Sequence, residues 1–144
     1  MRESNGTFVL FDPSGAVRTF PGAINSDGLI VGGAADKNGV LHGFVRCVNG
    51  ALTTFDVPDA AVGTLALGVS SFGLSTGYWI DSNFVGHGFV RQPNGAIFKF
   101  DAPGAGAAPG MRQGTVPQGM NFWGEVVGYF IDTNNVGHGF IRLP

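Results

Sequence analysis

One short stretch occurs three times in this chain, and no other feature constrains the fold as much. It reads His42-Gly43-Phe44-Val45-Arg46, His87-Gly88-Phe89-Val90-Arg91 and His138-Gly139-Phe140-Ile141-Arg142. The histidines stand 45 positions apart (42 to 87) and then 51 (87 to 138). A period of this length marks a repeat architecture, in which each unit is one supersecondary piece that buries its apolar face only against its neighbours. Other residues keep the same phase. An aspartate lies six positions before each histidine: Asp36, Asp81 and Asp132. A Gly-x-x-x-Gly pair precedes each aspartate: Gly28 and Gly32, Gly73 and Gly77, Gly124 and Gly128. Two copies continue into Asn-Gly (Asn49-Gly50, Asn94-Gly95) and end in Phe-Asp (Phe55-Asp56, Phe100-Asp101).

Each copy divides into four strand-sized pieces. His87 to Arg91 alternates between two faces, as a strand requires. Asn94-Gly95 is a two-residue hairpin signal. Ala96 to Phe100 is the next strand, Leu65 to Ser70 predicts a further one, and Leu74 to Asp81 the last. No window shows a period of 3.6, and 25 glycines disfavour helices. The expected division is a partial repeat over 5–23 and repeats over 24–56, 57–101 and 102–144. In that register Gly6 to Phe11 aligns with the His-Gly-Phe strand, Thr7 replacing histidine, and Ala16 to Phe20 aligns with the strand ending at Phe100. The chain then begins with the last two strands of a repeat and ends after the third strand of another. The glycine- and proline-bearing run from Pro103 to Gly110 reads as an exposed loop.

At 144 residues, one domain is expected. Apolar residues make up 44% and charged ones 12%, which excludes disorder, and the even punctuation excludes membrane insertion. The net charge of −2 offers no basic patch, so no nucleic-acid partner is expected. The single cysteine, Cys47, has no internal disulfide partner. Met1 to Asn5 carries no apolar run of a signal peptide and leads straight toward a strand.

The pattern Ile24-Asn25-Ser26-Asp27-Gly28-Leu29-Ile30-Val31-Gly32, its counterpart Met120 to Gly128, the three His-Gly-Phe stretches and Phe100-Asp101-Ala102-Pro103-Gly104-Ala105 together resemble the HAF repeats of bacterial extracellular proteins. The second copy departs from that pattern, with Val69-Ser70 in place of Ile-Asn. The resemblance implies an extracellular or cell-surface location and carries no biochemical activity with it. The order of pieces also resembles that of propeller blades of the WD type. The expected fold is therefore all-β, with three four-stranded repeats of about 45–50 residues forming β-propeller-type blades with offset termini. Three blades fall short of the usual four to eight. Two expectations meet that shortfall: a homo-oligomer, most simply a dimer building a six-bladed ring, or a longer array of which this chain is a piece. The alternative is a β-trefoil or β-prism with internal threefold symmetry.

Three constellations could carry chemistry. The Asp–His pairs would place His42, His87 and His138 in a ring, a donor set that suits zinc. The simpler reading is that each histidine fastens its own repeat, and no metal site is favoured. Asp36-Lys37-Asn38, Asp81-Ser82-Asn83 and Asp132-Thr133-Asn134 offer one carboxylate each, too few for calcium, and read as polar turns. The aromatic set comprises Trp123, Phe122, Asn121 beside them, Trp79, Tyr78 and Tyr129, candidates for stacking on a sugar or anchoring a protein. For Trp79 the competing reading is burial between repeats. No nucleophile elbow, paired catalytic carboxylates or phosphate loop appears, so no enzyme and no cofactor are expected. The expected function is a non-catalytic binding or assembly module. Its alternatives are a self-assembling two-chain ring and a lectin-like carbohydrate-binding module, with a glycan or protein as ligand.

Overall fold

The computed structural model describes residues 6–110 and 112–144, and among these it is all-β. Residues 1–5, including the start of the expected partial repeat, lie outside the described residues. Eleven strands form three units. The first holds β1 (Arg18–Ile24), β2 (Ile30–Ala35), β3 (Leu41–Arg46) and β4 (Leu52–Phe55). The second holds β5 (Gly63–Val69), β6 (Ser75–Ile80), β7 (Gly86–Arg91) and β8 (Ile97–Phe100). The third holds β9 (Gly114–Met120), β10 (Val126–Ile131) and β11 (Gly137–Arg142). Within a unit, consecutive strands pair antiparallel. Between units a single parallel bridge joins Leu41 to Gly63, and another joins Gly86 to Gly114. The sheet path is open, with β1 and β11 at opposite ends.

The repeated residues explain the turns. In the β2–β3 turn, Asp36 Oδ1 accepts from the backbone N–H of Asn38 (2.8 Å) and Val40 (2.9 Å). Asp81 and Asp132 repeat both bonds. These are the side-chain-to-backbone turns that aspartate forms readily. Asn25 and Asn121 do the same in the turn after the first strand of their units. Ser70, the departure from that pattern, has the shorter side chain and accepts only from Leu74 N–H.

The Gly-x-x-x-Gly pair has two separate causes. Its first member sits in the turn at positive φ: 78° at Gly28, 77° at Gly73 and 85° at Gly124. Its second member faces a register shift in the first strand of the unit. A Cβ on Gly77 would overlap the carbonyl oxygen of Leu65, and one on Gly32 or Gly128 would overlap the carbonyl oxygen of Phe20 or Val116.

The core lies between the units. Phe44 and Phe89 are 0% exposed. Each meets the ring of a phenylalanine that precedes its own unit in the chain. Phe55 packs edge-on against Phe89 at 5.9 Å, with the Arg91 guanidinium over its ring at 4.8 Å. Phe100 does the same with Phe140 and Arg142. Phe11 does the same with Phe44 and Arg46, at 5.9 Å and 5.0 Å.

That last contact corrects the expected N-terminal register. Phe11-Asp12, and not Phe20-Pro21, takes the Phe-Asp place. Ala16 to Phe20 is not a fourth strand: its latter half begins β1, the first strand of the first unit, paired to β2. The segment from Gly6 to Phe11 holds the position of a single preceding fourth strand and is not in a ladder. The proline that follows leaves a mark. Val57 and Ala102 donate their N–H to Thr64 and Thr115 Oγ1. Pro13 has no N–H, and the equivalent Thr19 hydroxyl donates to Asp12 instead.

Two features of residues 103–144 remain. Phe140 is only half-buried, because among the described residues no further unit packs on its face. The run from Pro103 to Gly110 is the mostly exposed loop expected, and hydrogen bonds pin it. Gly106 N–H donates to the Ile131 carbonyl, Gly110 N–H to the Asn83 carbonyl, and Ala108 N–H to Oε1 of the buried Gln113.

Candidate functional site

The three histidines stand on the third strand of each unit and are used as fasteners. His42 Nδ1–H donates to Asp56 at 2.8 Å, and its Nε2 faces Asp36 at 3.9 Å. His87 repeats this, with Asp101 at 3.0 Å and Asp81 at 3.7 Å. Each clamp therefore ties the third strand to the end of the fourth, fourteen residues on. His138 differs. Its Nε2 lies 3.3 Å from Asp132, and among the described residues no second carboxylate reaches its Nδ1. Among the described residues no group of three or more His, Cys, Asp or Glu side chains is arranged to hold a metal ion, so the imagined ring of imidazoles does not converge.

The turn carboxylates feel their hydrogen bonds. The Val40 N–H, ahead of the opposing desolvation, holds Asp36 below the usual carboxylate range, with the N–H of Asn38 and the nearby His42 adding to it. Desolvation pushes Asp81 up, but the N–H groups of Val85 and Asn83 together with His87 outweigh it and leave it lowered. Asp132 is lowered chiefly by the Val136 N–H, with His138 contributing.

The aromatic set does not form one site. Trp79 is buried in the core, stacked on His87 at 4.4 Å, with Lys99 Nζ 5.2 Å from its ring and itself paired to Asp59 at 2.7 Å. It presents no binding face. Asn121 is consumed by its own turn and by a bond to Glu125. Tyr78 and Tyr129 share a cavity of about 400 Å³ between the second and third units, with Ile80, Phe84, Gln113 and Val116. Desolvation, and secondarily Tyr129, push the Tyr78 hydroxyl up from its ordinary value. Trp123 and Phe122 are on the surface elsewhere. Trp123 is 72% exposed, and its ring meets Phe122 at 5.9 Å. Phe122 in turn packs on Phe72 at 4.8 Å.

No family model, curated protein or solved structure matches this chain.

Sequence reasoning overlooked Phe72. The signal was available: Phe72 precedes Gly73 as Trp123 precedes Gly124, so both occupy the outward corner of equivalent turns. Also overlooked was Phe11-Asp12, which stands 44 positions before Phe55-Asp56, as that pair stands 45 before Phe100-Asp101.

Proposed function

We propose that this chain is a non-catalytic β-repeat module that works by assembly, its units being propeller-type blades that complete a ring when two chains combine into six. One observation carries the reading: residues at equivalent positions are covered inside the stack and bare at its ends. Val85 is 2% exposed and its third-unit counterpart Val136 49%. β5 is largely buried and β9 partly so, while their counterpart β1 is largely exposed. A unit that stacks on both sides is the elementary piece of ring and solenoid architectures. The fastening of His42 and His87 by their own carboxylates supports a structural use of the residues best suited to catalysis. An extracellular or cell-surface setting rests on the resemblance to HAF repeats and belongs to the same proposal. Light scattering on a sizing column over a wide concentration range tests it. The expected mass is twice the 14.9 kDa of one chain. A single-chain mass at every concentration overturns the reading.

A second reading is favoured by the exposed trio Phe72, Phe122 and Trp123. Three contiguous aromatic rings on a surface of low charge form a platform for a sugar ring or an apolar protein anchor. A glycan array and its repeat with Trp123→Ala test this. Binding by the parent and loss in the variant support it, and an array without hits counts against a carbohydrate.

A further inference from the structure

The two ends of the sheet are complementary in detail. At one end, β11 has no fourth-strand partner among the described residues. In the other units that partner places a phenylalanine over the glycine of His-Gly-Phe. A Cβ on Gly43 would come within 2.6 Å of the Phe55 ring, and one on Gly88 within 2.7 Å of the Phe100 ring. At Gly139 the same space is open, the nearest atom being the Gly128 carbonyl oxygen at 4.0 Å. The clamp is incomplete too: among the described residues His138 Nδ1 has no counterpart of the carboxylate that Asp56 and Asp101 give His42 and His87.

At the other end, the segment before β1 carries the missing parts. Phe8 and Leu10 are 90% exposed, and Val9 is nearly as bare. They lead into Phe11-Asp12, which already sits on the first unit as Phe55-Asp56 sits on the second. Phe55 makes two sets of contacts at once, with Gly43 of its own unit and with Phe89 and Arg91 of the next. Phe11 makes only the second set. Asp12 is exposed, and Thr19 occupies only one of its oxygens.

We propose that residues 8–12 of one molecule serve as the fourth strand on β11 of a second copy, laying Phe11 over Gly139 and setting Asp12 against Nδ1 of His138. The proposal deepens the assembly reading and rests on it. The register follows from the existing β3–β4 ladder, where Gly43 faces Phe55, Val45 faces Thr53 and Arg46 faces Leu52. By the same offset Gly139 faces Phe11, Ile141 faces Val9 and Arg142 faces Phe8. Ile141 and Val9, both exposed in the single chain, cover each other in this pairing. The donated strand keeps its present seat on Phe44 and Arg46, so no existing contact is lost. It also removes an exposed sheet edge, the feature that otherwise invites indiscriminate pairing. Such a contact is head-to-tail, and it ends in a ring only where the rotation closes.

One position differs. Gly63 and Gly114 make the parallel bridges at the existing junctions, where a Cβ on Gly63 would come within 2.6 Å of Leu41 Cβ. Arg18 stands in their place on β1, opposite Gly137, whose surroundings are open. The junction between molecules therefore rests on the strand and its clamp. Arg18→Gly should tighten it.

The experiment uses the 144-residue chain and a Gly139→Val variant. In the single chain Gly139 has room for the new side chain, so circular dichroism and the thermal midpoint of the dissociated form should be unchanged. In the junction the side chain meets the Phe11 ring, so dissociation should become at least tenfold easier by light scattering. A parent that stays single-chain overturns both this proposal and the assembly reading. A parent that assembles while Gly139→Val assembles equally well overturns the strand donation alone. A second measurement removes dependence on that variant. In a Cys47→Ser background, Val9→Cys with Ile141→Cys should give disulfide-linked multiples of the chain under mild oxidation. Monomers that retain both thiols would overturn the register.

Discussion

Nδ1 of His42 donates to the carboxylate of Asp56 across the last turn of the first unit, and His87 repeats the bond with Asp101 one unit later. Both pairs are partly open to solvent, so each is a local fastener of modest strength. Asp101→Ala should cost about 1 kcal/mol or less. A double-mutant cycle with His87→Ala, followed by urea unfolding, measures the coupling. A coupling near zero would mean that the clamp contributes nothing to stability.

Acid should weaken the repeat at its turns. Asp36, Asp81 and Asp132 are all held below the ordinary carboxylate range when folded. A depressed folded value favours the ionised, folded form, so this stability is fully present above the unfolded value of about 4 and is lost as pH falls through the lower folded values. Unfolding midpoints should therefore be flat from pH 7 to 5 and drop below about 4. Asp81→Asn keeps the turn acceptor, as Asn25 and Asn121 do, and should reduce the drop. An unaltered acid profile in that variant would assign the effect to other groups.

Burial separates equivalent phenylalanines. Phe89→Ala removes a ring with no exposure and should cost about 3–5 kcal/mol. Phe140→Ala removes a half-buried ring and should cost roughly half as much in the single chain. Equal costs in denaturant titrations would show that the third unit is covered in solution.

Glycine positions divide by what surrounds them. Gly77→Ala drives a methyl group onto the Leu65 carbonyl and should destabilise by about 1–3 kcal/mol or more. Gly137 has open space and an ordinary backbone conformation, so Gly137→Ala should be neutral or stabilising by up to about 1 kcal/mol. Thermal midpoints of the two variants check the contrast.

Much of the architecture was legible because its signals are short-range. The Asn49-Gly50 and Asn94-Gly95 hairpins, the aspartate turns and the paired glycines each act within about five residues. The strands from Leu65 and Leu74 were placed to within two residues of β5 and β6. The N-terminal copy was misread by one strand because Gly6-Thr7-Phe8 imitates His-Gly-Phe, while the deciding contact, Phe11 on Phe44, spans 33 positions. Among the aromatic candidates, Trp79 falls in the strand expected from Leu74 to Asp81 and Trp123 directly before the turn glycine Gly124, so their contrast was partly legible. Trp79 lies on β6 and is roofed by Lys99 and His87, whereas Trp123 projects from a turn.

A three-copy all-β repeat, and the residues that make each turn, can be read from neighbouring residues alone, since alternation and turn chemistry are local. Which copies are covered is set by the packing of one unit on another. Phe44, Phe89 and Phe140 are identical in sequence role, and their burial differs because it depends on strands contributed by another unit. Strand pairing also leaves His138, among the described residues, without the carboxylate its two counterparts have. That difference arises because the clamp joins two strands, and β11 has no fourth strand beside it among the described residues.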